Sequence, residues 1–304
     1  MNFLNRKSLT FALIGGTAMV VLAPSAQAAT VYGVTSTGNL VRFDSATPGT
    51  ISGSVPISGL QSGETLAGID FRPATGQLYG LGSGSRLYTI NPVTGAATQV
   101  GSNGAFTLSG TSFGFDFNPT VDRIRVTSDA DQNIRLNPIT GGLAATDTSL
   151  AYAVGDANAA ANPNLVGSAY TNNNAPSTTT TLYGIDSAID ILVTQNPPNN
   201  GTLNSTGPLG VNTTGTVGFD IFNDAGGGNT GFASLAPGAG ATSSFYTINL
   251  STGAATLVGS VGGGLQLADI AVEPVPLPPA LLLGIPGALC ALGGAKRMRS
   301  RRTI

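Results

Sequence analysis

The stretch Asp122–Gly141, DRIRVTSDADQNIRLNPITG, gathers three arginines and three aspartates in a chain where only 9% of residues are charged. Two chemistries fit it. Asp129-Ala130-Asp131-Gln132-Asn133 has the D-x-D-x-N start of a calcium loop, whose alternating oxygens would ligate Ca²⁺. Ile134 stands where that loop needs glycine, and Thr140 where it needs glutamate. An irregular Ca²⁺ site at Asp129, Asp131 and Asn133 is therefore the most the pattern supports. Arg123 and Arg125 fall on one face of a strand, because side chains repeat with period two. Arg135 follows a hairpin away. Three guanidinium forks would suit the oxygens of an anionic or carbohydrate ligand. The plainer alternative is a cross-strand ion-pair cluster, with Asp122, Asp129 and Asp131 as counter-charges.

Much other chemistry is excluded. Between the two ends described below, residues 29–274 contain no histidine, cysteine or lysine. That removes Ser-His-Asp and Cys-His catalysis, thiolate or imidazole zinc sites, Schiff-base amines and phosphate-loop lysines. Carboxylate chemistry and oxygen-ligand metal binding remain. Asp70, Asp116 and Asp220 recur in similar contexts, and paired carboxylates could hydrolyse glycosides. Recurrence favours a structural role instead, each carboxylate satisfying backbone amides. This body carries six arginines against all fifteen acids, a net charge of −9 where the whole chain has −2. An acidic body argues against nucleic acid as a partner.

The elements that position these residues follow from internal repeats. GIDFRPATGQLYGLGSGSRLYTINPVTGAATQVGS begins at Gly68, and GFDFNPTVDRIRVTSDADQNIRLNPITGGLAATDTS at Gly114. A weaker copy begins near Val166, and a fourth runs from Val217 to Ser260. Each holds four short apolar or alternating runs, separated by Asn-Pro, Thr-Gly and Gly-Gly, which spells an all-β chain. Val31–Ile57 resembles a repeat without its first strand, and DIAVEP (Asp269–Pro274) supplies that strand at the other end. The expected fold is a five-bladed β-propeller of four-stranded blades, closed by strands from both termini; a solenoid or paired sandwich is the rival. Closing the ring removes two sheet edges. In the aligned first strands Ala169 and Ala271 replace the aspartate, so a ring of acids would be broken at two of five places. Asn-Pro-x-Thr-Gly recurs between the third and fourth strands, at Asn91–Gly95 and Asn137–Gly141, as structural turns.

Both ends carry addresses. Residues 1–28 have a basic start, an apolar run and the small residues Ala26 and Ala28 of a cleavage site, a secretory signal helix. Residues 275–304 hold a Pro-rich motif (Val275, Pro276, Leu277, Pro278), a short apolar helix and a basic tail. Sixteen apolar residues from Ala280 would span roughly 24 Å, adequate for a temporary membrane anchor. Cys290, the only cysteine, lies in that run, so the body has no disulfide framework.

The tail VPLPPALLLGIPGALCALGGAKRMRSRR resembles the PEP-CTERM sorting signals of Gram-negative bacteria, with Leu277 where glutamate is usual. That resemblance implies export, transient inner-membrane anchoring, recognition by an exosortase-like peptidase, and release to the surface or an exopolysaccharide matrix. Residues 31–272 resemble the bacterial domain-of-unknown-function 4394 family, through GIDFRPATGQLYGL, GFDFNPTVDRIRVTSDADQNIRLNPITG and YTINLSTGAATLVGS. The family supplies architecture and no catalytic residues. The expected function is a non-enzymatic surface or matrix interaction module, with surface polysaccharide or other surface proteins as partners. No cofactor is expected unless Ca²⁺ binds. The alternatives are a carboxylate-dependent hydrolase using the recurring aspartates and a Ca²⁺-dependent adhesion module.

Overall fold

A computed structural model of the chain describes residues 28–275 except Ala239. Ala26 of the cleavage site, residues Pro276, Leu277 and Pro278 of the sorting motif, and the apolar runs of both ends lie outside the described residues. Strands β1 (Thr30–Thr35), β2 (Asn39–Asp44) and β3 (Ile51–Pro56) come first. Blade one is β4 (Leu66–Arg72), β5 (Gln77–Gly82), β6 (Arg86–Ile90) and β7 (Ala97–Val100). Blade two is β8 (Phe113–Asn118), β9 (Arg123–Ser128), β10 (Asn133–Leu136) and β11 (Leu143–Thr146). A short strand β12 (Ala151–Tyr152) precedes blade three, which is β13 (Leu165–Tyr170), β14 (Leu182–Asp186), β15 (Ile191–Gln195) and β16 (Thr202–Pro208). Blade four is β17 (Val217–Asn223), β18 (Asn229–Leu235), β19 (Ser244–Ile248) and β20 (Ala255–Ser260). Strand β21 (Leu267–Val272) then pairs with β1, Val31 opposite Val272, and completes a blade with β2 and β3.

The first strands β4, β8, β13, β17 and β21 adjoin in a ring around the axis. The fold is thus the five-bladed propeller, with its last blade built from both ends of the described chain. One element departs from the repeat. Strand β12 adds a parallel fifth strand to the outer edge of blade three, with Ala151 opposite Thr202. It covers an edge that would otherwise present unpaired backbone groups.

Blades hold together through apolar faces stacked between them. Blades five and one share a cluster that includes Tyr32, Leu40, Ile69 and Phe71, and blades one and two share Tyr79, Leu87, Phe115 and Phe117. Edge-to-face pairs cross these junctions: Tyr32 with Phe71 at 5.4 Å between ring centroids, Tyr79 with Phe117 at 5.2 Å, and Phe43 with Phe245 at 5.2 Å. Such pairs contribute about 0.5–1.5 kcal/mol each beyond area burial.

The Asn-Pro-x-Thr-Gly turns are also inter-blade latches. In each, the asparagine side chain accepts amide hydrogen bonds from the turn, as Asn137 Oδ1 does from Ile139 and Thr140. The closing glycine then lies against the preceding blade. Gly141 has φ +67°, and a Cβ there would stand 2.0 Å from the carbonyl oxygen of Val100. Gly95, and Gly253 of the variant turn Asn249-Leu250-Ser251-Thr252-Gly253, sit the same way against Pro56 and Gly207. Gly141→Ala is therefore expected to destabilise the propeller by about 2 kcal/mol, since it adds left-handed strain to a steric clash. Gly142→Ala, where the nearest atom is a flexible hydroxyl at 3.5 Å, is expected to be neutral. Urea midpoints of the two variants check this; equal midpoints would dismiss the latch.

Candidate functional site

Three places in the fold gather the functional residue types: the axial aspartates, the arginine cluster, and the mouth of the channel.

The axial aspartates are buried, with relative exposures of 4% for Asp70, 2% for Asp116 and 1% for Asp220. One oxygen from each lies within 4.8 Å of the others, a spacing at which carboxylates share protons or a cation. Their hydrogen bonds define their role. Asp70 accepts from the amide of Phe117 at 2.7 Å, Asp116 from Tyr170 at 3.0 Å, and Asp220 from Val272 at 2.6 Å. Each acceptor is thus paired with the first strand of the next blade. Asp70 and Asp220 also accept from the following residue of their own strand.

The split blade contributes to this ring, contrary to the alignment that placed Ala271 there. Asp269, two residues earlier on the same strand face, accepts from the amide of Ile69 at 2.8 Å. Four of the five junctions are therefore clasped by a carboxylate. The fifth, from β13 to β17, has Ala169 at the equivalent position, and Gly167 brings the strands together there: a Cβ on it would meet Phe219 at 3.0 Å. Glycoside hydrolysis needs two carboxylates facing an open site that admits a sugar and, in inverting enzymes, a water. Here the acids are sealed between strands and committed to amides.

Burial governs their ionisation. Asp70 is raised well above the ordinary carboxylate value, by burial first and then by the charge of Asp220. Asp116 is raised by burial, then by Asp70 and Asp220. Burial lifts Asp269 likewise and pushes Asp220 up to about 6. Backbone amides oppose these shifts without cancelling them, because no salt bridge among the described residues reaches the ring.

The arginine cluster lies where blade two meets blade three. Arg125 is fully buried, at 2% exposure, and directly opposite Arg135 in the β9–β10 register. Its guanidinium donates to Asp147 Oδ2 at 2.5 Å, Asn133 Oδ1 at 2.7 Å and Asn199 Oδ1 at 2.8 Å. A longer bond of 3.4 Å reaches the hydroxyl of Tyr170. Arg135 makes a two-pronged pair with the same Asp147, at 2.8 and 2.9 Å, and is part-exposed. Arg123 donates to the carbonyl of Asp122 at 2.8 Å. The expected counter-charges are corrected here. Asp122 pairs instead with Arg72 of blade one, through two guanidinium nitrogens. Asp147, which follows β11 and belongs to no motif, neutralises both Arg125 and Arg135.

Repeat position explains the burial of Arg125. Opposite the axial position of each first strand stand Tyr79, Arg125, Tyr183, Phe232 and Tyr32. Four blades present an aromatic ring to this layer; blade two presents a guanidinium. The junction is correspondingly polar: Thr127 and Ser168 hydroxyls meet across it at 2.6 Å, and Gln195 donates to Asn133 at 3.2 Å.

The same hairpin carries the three residues of the weak calcium pattern. Asn133 Oδ1 is occupied by Arg125 and Gln195. Asp129 accepts from the amide and hydroxyl of Thr111, at 2.8 and 2.6 Å. Asp131 adopts a left-handed φ of 59°, and its Oδ1 is buried without a partner among the described residues. Burial, then the charge of Asp186, raises its pKa. Asn133 and Asp129 are thus engaged by separate partners, and Asp131 Oδ1 by none among the described residues.

The hairpin tip also shapes the third place. Asp129 and Gln132 pin the loop that precedes β8, since Gln132 accepts from the Ser109 amide and donates to the Thr107 carbonyl. That loop forms one wall of an axial cavity of about 450 Å³, open at the end where the first strands begin. Sequence reasoning missed this cavity, because its lining comes from inter-blade connections, strand starts and two turns that share no motif.

Among the described residues no helix is long and apolar enough to cross a membrane. No curated protein matches the chain. Residues 39–271 match the family described as a domain of unknown function (DUF4394), and with its repeats folded as five blades the chain belongs to that family.

Proposed function

We propose that the chain is an exported, non-enzymatic interaction module of the cell surface or extracellular matrix of a Gram-negative-type bacterium. The observation that carries this reading is the ordered tail of Pro-rich motif, apolar run and arginine cluster at residues 275–304. An exosortase-like peptidase would recognise that tail while the apolar run holds the protein transiently in the inner membrane. The fold is compatible with losing both ends. Pairing between β1 and β21 spans Val31 to Val272 and so lies inside both cuts. The amide of Ala29 is already held by Ser45 Oγ at 2.9 Å. A binding role without catalysis is supported by the body's lack of histidine, cysteine and lysine, and by the engagement of its buried acids as clasps.

Fractionation with mass spectrometry of the recovered termini tests the reading. The expected product is a surface or matrix protein that begins at Ala29 and lacks the basic tail. Intact protein in the cytosol would overturn it.

A further inference from the structure

We infer that the axial cavity is a binding site for the uncharged end of an oligosaccharide. This rests on the reading of the body as a binding module and names its ligand class. The cavity's volume, about 450 Å³, lies within the range of about 300–1,000 Å³ common to small-molecule sites. Its lining holds no charged side chain. An ionic ligand would lose hydration there and find no counter-charge, a transfer that costs far more than a neutral one. Uncharged hydrogen-bonding groups converge instead. The side chains of Ser36, Ser112, Thr216 and Gln266 line the cavity and make no hydrogen bond among the described residues. They offer three hydroxyls and one amide, both donors and acceptors. Leu66 and Phe113 add apolar surface to the same lining. Hydroxyl edges alternating with C–H faces are the chemistry of a pyranose ring.

The wall is also fixed in advance. Thr111 is held by Asp129, and the preceding residues by Gln132, so the loop does not have to order itself on binding. Pre-organisation of this kind raises affinity by reducing the ordering cost.

The test titrates the full-length protein, in a detergent without sugar head groups, with cellotriose, maltotriose and chitotriose, and with trigalacturonate as the anionic arm. At least one neutral trisaccharide is expected to bind saturably, and trigalacturonate is not. Thr216→Val and Gln266→Leu should each weaken binding about tenfold, the effect of one lost hydrogen bond of about 1.4 kcal/mol. Melting temperatures should stay unchanged, since neither side chain has an internal partner. Three outcomes would overturn the site: no neutral trisaccharide saturates, trigalacturonate binds equally well, or both variants bind like the parent. Release of shorter sugars during incubation would instead overturn the non-enzymatic reading and leave the site standing. Fractionation decides export independently of either.

Discussion

Arg125→Ala is expected to destabilise the propeller by about 3–5 kcal/mol, the loss that follows when one partner of a buried ion pair is removed. The guanidinium fills the layer between blades two and three and satisfies Asp147, Asn133 and Asn199 at once. Its removal leaves a cavity, takes the guanidinium donor from Asn199 Oδ1 and leaves Asn133 Oδ1 with Gln195 alone. Asp147 would keep only Arg135, which reaches it from a partly solvated position. Arg135→Ala is expected to cost less than about 1 kcal/mol, because exposed pairs contribute little and Arg125 still neutralises the carboxylate. Urea unfolding of both variants measures the contrast. Similar losses for the two arginines would show that burial at the blade junction is not what makes Arg125 matter.

A second large effect concerns pH. Asp70, Asp116, Asp220 and Asp269 all have folded-state pKa values above those of an unfolded chain. Between the unfolded and folded values the native state holds more protons, so stability falls as pH rises. The contribution is fully present below about pH 4 and is lost for Asp220 as pH passes about 6. Its shift from 3.8 to about 6 corresponds to roughly 3 kcal/mol. The other three acids are shifted in the same direction and add to the decline. Asp122, held low by its hydrogen bond to Arg72, acts only below this window. Melting temperature should therefore decrease from pH 4 to pH 8. Asp116→Asn should flatten that slope, because an amide keeps an acceptor for Tyr170 and has no proton to lose. A profile that rises across this range would contradict the proton-holding ring.

Much of the architecture was legible in the chain. Repeated Gly-φ-Asp-φ starts, where φ is apolar, and Asn-Pro-x-Thr-Gly ends are local signals, since a turn depends on its own four or five residues. Their recurrence set the blade length, and the divided copy at the two ends revealed how the ring closes. The segments proposed as addresses, residues 1–28 and 275–304, are read in the same local way, from composition and order.

The site was only partly legible. The column that contains Arg125 was present in the aligned repeats, and an arginine among Tyr32, Tyr79, Tyr183 and Phe232 marks blade two as different. Nothing local identified Asp147 as its counter-charge, because that residue reaches the cluster through an irregular connection after β11. Asp269 was hidden by a shift of two residues along its strand. Such a shift preserves the face of the strand, so the carboxylate still meets an amide of the next blade, one rung along the channel. The cavity was hidden more completely, since four inter-blade connections of unrelated sequence and the turns at Ser36 and Ser83 build it.

The sequence by itself determined the strands, the turns, the number of blades, the way the ring closes and the absence of imidazole, thiol and amine chemistry from the body. Tertiary structure alone decided that the axial aspartates clasp neighbouring blades, that Arg125 is buried against Asp147, and that the hairpin tip supports the channel mouth. The physical reason is range. Periodicity and turn chemistry act within a few residues. A carboxylate's partner, its burial and therefore its ionisation are set by whichever strand the closed ring brings beside it.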